Sequence, residues 1–104
     1  MEKLYYSIKE VAAMVGVSES TLRYWETEFV QLRPSRTPGG RRRYTKEDIE
    51  NVKQILYLLS DQKMHVDGAK YRLQSRPDET ARLQRIAECL KNIKHELVEI
   101  KKLL

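Results

Sequence analysis

The sequence predicts a mainly all-α fold that carries one small β-hairpin and ends in a coiled-coil helix. Three observations predict it. Helix-capping signatures recur at residues 7 to 10, 18 and 45 to 48, a Pro-Gly-Gly break falls between them, and an apolar repeat of three and four runs to the C-terminus. Composition agrees: of 104 residues 40% are hydrophobic and 34% charged, with few Pro and Gly, which suits a folded helix-rich chain rather than a disordered one. The length allows one small core and an extension, and is short for an enzyme with a cleft between two domains.

Ser7-Ile8-Lys9-Glu10 places a hydroxyl at an N-cap and a carboxylate three residues on, so the first helix is expected to start there. Ile8, Val11, Ala12 and Val15 follow at helical spacing, and Gly16 supplies the left-handed residue that ends it. Ser18 is the next N-cap, and a second helix is expected to about Phe29. Two helices joined by so short a glycine turn make a helix-turn-helix.

Pro34, Pro38, Gly39 and Gly40 keep residues 30 to 44 out of a helix, and the flanks of Pro-Gly-Gly are expected to pair as a hairpin, which would be a wing. Thr45-Lys46-Glu47-Asp48 then caps a third helix through Ile49, Val52, Ile55, Leu56 and Leu59, expected to end near Asp61 or Lys63. A fourth, from about His65 to Gln74, stacks Val66, Ala69, Lys70 and Leu73 on one face until Pro77 stops it. His65, near a helix start, reads as a local cap or surface residue.

From residue 78 to 104, Leu83, Ile86, Leu90, Ile93, Leu97, Ile100 and Leu104 form an unbroken a/d seam, so this segment is expected to be a dimerisation helix after a domain of residues 1 to 77. A stripe that packs back on its own domain is the alternative. Leu at a with Ile at d favours higher oligomers in parallel coils, and Glu96 at g is within reach of Lys101 at e on a parallel partner.

The net charge is +5, and its distribution points to a partner. Residues 33 to 46, RPSRTPGGRRRYTK, hold Arg33, Arg36, Arg41, Arg42, Arg43 and Lys46 without an acid, and six like charges repel one another unless a polyanion neutralises them. In the preceding helix Leu22, Trp25 and Phe29 fall within about 60° of one another on a helical wheel, forming a buried stripe with Glu26 at its edge. Ser20, Tyr24 and Thr27 point away, with Arg23 and Thr21 on the shoulders. These side chains can hydrogen-bond phosphates or base edges, and Glu19, one turn before Arg23, can hold the arginine by an ion pair.

Other classes are disfavoured. No apolar run approaches the roughly 20 residues that span a bilayer, and the N-terminus lacks a signal peptide's apolar region, so a cytoplasmic protein without a membrane partner is expected. Cys89 is the single cysteine, and with His95 it makes no metal-ligand spacing, so neither a metal nor another cofactor is expected. The acids, two histidines and one cysteine form no set assignable to nucleophile, base and oxyanion roles, so no enzymatic activity is expected.

The run YYSIKEVAAMVGVSESTLRYWE, followed by PGGRRRYTKEDIENV, resembles the winged helix-turn-helix domain of MerR-family transcription regulators over residues 4 to about 74. The resemblance implies a recognition helix over residues 18 to 28, with Ser18, Ser20, Thr21, Arg23 and Tyr24 at the major groove and its flanking phosphates. It places Arg42 and Tyr44 on the backbone beside the minor groove. Arg41 stands where the family more often has an aromatic residue, and Trp25 where a tyrosine is more usual. The resemblance further implies an antiparallel homodimer on a pseudo-palindromic double-stranded DNA site. Bending and untwisting of a promoter read by RNA polymerase would follow, with no effector site carried over. Two other functions suit such a domain: an adaptor that binds a chaperone or another regulator, and a nucleoid-type architectural DNA binder.

Overall fold

A computed structural model of the chain describes residues 4 to 104. Helices α1 (Ile8–Val15) and α2 (Glu19–Glu28) are followed by strands β1 (Ser35–Arg36) and β2 (Arg42–Arg43), then by α3 (Lys46–Leu56), α4 (Val66–Ser75) and α5 (Pro77–Leu103). The small hairpin among helices is the architecture expected from the caps and the Pro-Gly-Gly break.

Local chemistry sets most boundaries. Ser7 Oγ accepts from the Glu10 N–H while the Glu10 carboxylate accepts from the Ser7 N–H, and Gly16 closes α1 at φ 78°. Ser18 caps α2 by accepting from the Thr21 N–H. Thr45 and Asp48 form the reciprocal box that opens α3, with aspartate in the role more often taken by glutamate. Each box satisfies two N–H groups that a helix start would otherwise leave unpaired.

After Leu56 the third helix widens into a π-helical turn, Tyr57–Asp61, and the backbone leaves it through Lys63 at φ 52°. This changes the register of the apolar face. Leu58 takes the fully buried place, and Leu59, expected on that face, is only partly buried.

One core gathers the elements from α1 to α4. Val11 and Ala12, Leu22 and Trp25, Phe29 and Leu32, Ile49, Val52, Ile55 and Leu58, and Ala69 and Leu73 meet in it. Burying Val11, Leu22, Ile55 and Leu58 completely is worth about 1.5 to 3 kcal/mol per side chain before the entropy of ordering is counted. Pro77 both ends the previous helix and begins the next. Arg76 breaks the path at φ −140°, and Pro77 occupies the first turn of α5, where its missing N–H costs nothing.

The base of α5 is fixed to the body by polar residues. Thr80 and Gln84 are buried, Lys53 binds Glu88 at 3.3 Å, and Lys91 binds Asp61 at 2.9 Å. A groove of about 320 Å³ lies between this base and the body, lined by Met14, Leu56, Tyr57 and Ala87. The seam points elsewhere: Leu83 is half-buried, while Ile86, Leu90, Ile93, Leu97, Ile100 and Leu104 are exposed. Beyond Leu83 the stripe does not fold back on its own domain.

Candidate nucleic-acid interface

Helix α2 divides as its periodicity demands. Leu22, Trp25 and Phe29 are buried at 0, 5 and 1% exposure, and the opposite side presents Ser20, Arg23, Tyr24 and Thr27 to solvent. Glu19 and Arg23 pair at 3.4 Å across one turn. Such an exposed pair is worth only about 0.3 to 0.5 kcal/mol, so it aims the guanidinium more than it stabilises the helix. At the N-terminus of α2 the hydroxyls of Ser20 and Thr21 lie within 3.0 Å of Ser18 Oγ, and Thr27 donates to the Tyr24 carbonyl. Ser18 therefore has a capping duty and Thr27 a backbone partner, whereas Arg23, among the described residues, is paired only with part-exposed Glu19 and Tyr24 is half exposed.

The wing is a two-residue antiparallel pairing, Ser35 opposite Arg43 and Arg36 opposite Arg42. Its tip turns at Gly40, φ 83°, where the Gly40 N–H donates to the Thr37 carbonyl. Arg36 Nη1 donates to the Gly40 carbonyl at 3.2 Å and Arg41 is exposed, so these two form the outward charge of the hairpin.

The rest of the arginine run has been divided by strand geometry. Successive side chains of a strand point to opposite faces. Arg42 turns toward α2, where its Nε donates to Glu26 Oε2 at 2.6 Å. Arg43 turns the other way, its guanidinium 4.8 Å from the centre of the Tyr5 ring. The six-charge cluster expected from the sequence is thus not one open patch: two of its members are held by an acid and an aromatic ring.

Tyr44 requires a correction. Expected as a backbone contact of the wing, it is fully buried, 0% exposed, and belongs to the core. Period two places it on the same side as Arg42, and its backbone pairs with Tyr6 through hydrogen bonds of 2.8 and 2.9 Å, which pull it inward. Its hydroxyl sits beside the Glu26 carboxylate without the geometry of a formed hydrogen bond. Burial first, and Glu26 second, hold its ionisation well above the usual phenol range, so it is neutral. No phosphate can reach it in this arrangement.

Three structural supports were missed by sequence reasoning. The helical wheel puts Glu26 at the edge of the buried stripe but does not show its pairing with Arg42, and nothing near Tyr5 and Tyr6 marks them as partners of Arg43 and Tyr44. Lys70 on α4 binds Glu28 of α2 at 3.0 Å, and that pair raises the lysine's ionisation above its ordinary value. Each partner lies 16 to 42 residues away from its mate, and no local pattern announces such a pairing.

Two helices at a glycine turn, a hairpin tied to the second of them and a protruding C-terminal helix define the chain as a winged helix-turn-helix protein. Residues 6–76 match the family described as MerR HTH family regulatory protein, and the chain belongs to that family. It is 32% identical over 71 residues to the HTH-type transcriptional repressor CarA of Myxococcus xanthus, a match covering 67% of this chain and 25% of that protein. It is 40% identical over 50 residues to the HTH-type transcriptional regulator ZntR of Escherichia coli K12, covering 48% of this chain and 36% of that protein. The chain thus matches a minor part of these relatives' length.

Among solved structures it resembles the N-terminus of MtaN, the Bacillus subtilis multidrug transporter activator. The TM-score is 0.62 at 31% identity, over 93% of this chain and 92% of that one. It also resembles HiNmlR, a MerR family regulator lacking the sensor domain and bound to promoter DNA. There the TM-score is 0.59 at 26% identity, over 95% of this chain and 81% of that one.

Proposed function

We propose that the chain is a sequence-specific DNA-binding transcription regulator that acts in the cytoplasm as a homodimer on a pseudo-palindromic site. The observation that carries the reading is the face of α2 on which Ser20, Arg23, Tyr24 and Thr27 stand exposed together, beside a wing anchored to the same helix by Arg42 and Glu26. An exposed arginine and tyrosine in the middle of a ten-residue helix entered from a tight turn suit a major groove, and Arg36 and Arg41 suit the phosphates beside it. The promoter DNA bound by HiNmlR supports the same reading.

Residues 1 to 77 form the DNA-binding domain in this proposal, and α5 supplies the dimer contact through Leu83, Ile86, Leu90, Ile93, Leu97, Ile100 and Leu104. At 1.5 Å per residue its 27 residues extend about 40 Å, comparable with the roughly 34 Å between major grooves on one face of the duplex. An antiparallel pair would place the two α2 helices at opposite ends. Bending of the bound promoter belongs to the same proposal, and RNA polymerase is the enzyme that reads it. Among the described residues no helix is long and apolar enough to cross a membrane.

The test is binding of the purified protein to random-sequence DNA at increasing salt. A regulator enriches a motif and loses affinity steeply with salt, because neutralised phosphates release their counterions. A protein adaptor gives neither result, and an architectural binder gives the slope without the motif.

A further inference from the structure

We propose that Glu26 is a positioning residue for DNA contact by the wing: its carboxylate holds the Arg42 guanidinium, and with it β2, against α2. The inference rests on the DNA-binding reading above.

A carboxylate on the DNA-facing helix is the wrong sign for a polyanion, since it repels the phosphates that the wing must approach. Its place is explained by what it touches. Glu26 and Arg42 meet at 2.6 Å with side chains 11 and 20% exposed, so the pair is part-buried and geometrically defined while some of the guanidinium stays open. Strands of two residues are too short to hold their own position, and this hairpin needs anchors. The buried Tyr44 ring and the backbone pairing with Tyr6 hold one end of β2, and the Glu26 pair ties its side to α2.

The geometry of the bond also matters. Glu26 takes the Nε–H of Arg42, and an arginine has four further N–H donors on its two Nη atoms. Held at Nε, the guanidinium can present that remaining fork to a phosphate with its orientation already fixed. Among the described residues exposed Arg41 and Arg36 have no carboxylate as a hydrogen-bond partner, so they contribute charge with less fixed direction.

The experiment uses a fluorescein-labelled duplex recovered from genomic DNA by the unsubstituted protein, titrated over a range of salt with the full chain and its variants. Glu26→Ala should weaken binding about tenfold and lower the salt slope by about 1, the loss of one phosphate contact. Arg42→Ala should do the same, and the double variant should be little worse than either alone. Glu26→Gln keeps an amide oxygen to accept from Nε, so it should fall between Glu26→Ala and the unsubstituted protein.

Glu26→Ala binding as tightly or more tightly than the unsubstituted protein, as simple removal of an acid near phosphates predicts, overturns the proposal. An additive double variant or an unchanged slope overturns it too. If thermal melting shows that Glu26→Ala does not fold, Glu26→Gln decides: weaker binding supports the proposal, and equal or tighter binding overturns it. Recovery of no duplex by the unsubstituted protein overturns the DNA-binding reading and this inference with it, whereas salt-dependent wild-type binding with unimpaired variants overturns this inference alone.

Discussion

The body formed by α1 to α4 and the protruding α5 carry the same kind of apolar periodicity, and they use it differently. In the body every stripe meets another: Leu22 and Trp25 of α2 share a core with Val11 of α1, Val52 of α3 and Leu73 of α4. On α5 the stripe from Ile86 to Leu104 stays open, and the buried residues on the side of the helix that touches the body are polar, Thr80 and Gln84, with Glu88 paired to Lys53 beside them. Periodicity therefore specifies a face but not what covers it. The body closes on itself because short turns bring its faces together, whereas 27 uninterrupted helical residues carry the seam away from the chain's own core.

The contrast can be broken by substitutions on each side. The largest effect on folding is expected at Trp25, 5% exposed at the centre of the body. Trp25→Ala should destabilise it by about 3 to 5 kcal/mol, measured by thermal or denaturant unfolding. Loss of DNA binding with an unchanged melting curve would mean that the face of α2 is assigned the wrong way round.

On α5 the combined change Leu90→Asp with Leu97→Asp should reduce the chain to a monomer in sedimentation while the body keeps its helical spectrum. Charges placed on an apolar seam oppose association, and both side chains are about 60% exposed within one chain. A melting temperature that collapses with them would show that the seam serves the body instead.

Within α2 the two faces should separate cleanly. Arg23→Ala should cost about 1 to 3 kcal/mol of DNA binding if the guanidinium reads a base, with no change in unfolding. Glu19→Ala should have the smallest effect, about 0.2 to 0.5 kcal/mol, seen as a slight loss of helix stability at low salt that vanishes at high salt. A larger effect there would make the ion pair part of the recognition surface rather than a guide for Arg23.

What was legible in the sequence was what depends on neighbours within a few residues. Ser7 with Glu10, Ser18, and Thr45 with Asp48 announce helix starts because a cap acts over three residues. The buried stripe of Leu22, Trp25 and Phe29 follows from the helical repeat alone. The wing was harder, because two strand residues carry too little pattern and their partners are distant. Nothing near Arg41-Arg42-Arg43 says that one arginine faces solvent, the next reaches Glu26 and the third lies over Tyr5. The family resemblance puts Tyr44 on the DNA backbone, whereas its burial depends on pairing with Tyr6, 38 residues away in the chain. The π-helical turn after Leu56 was likewise invisible, and it shifted the apolar register from Leu59 to Leu58.

In the proposed function a closed DNA-binding body and an open seam together make a two-fold reader of DNA. The most direct measurement selects bound fragments from genomic DNA with the full chain, and then weighs the complex on the selected duplex by sedimentation. An inverted repeat occupied by two chains is the expected result. An asymmetric single motif occupied by one chain, or no enriched motif at all, would contradict it.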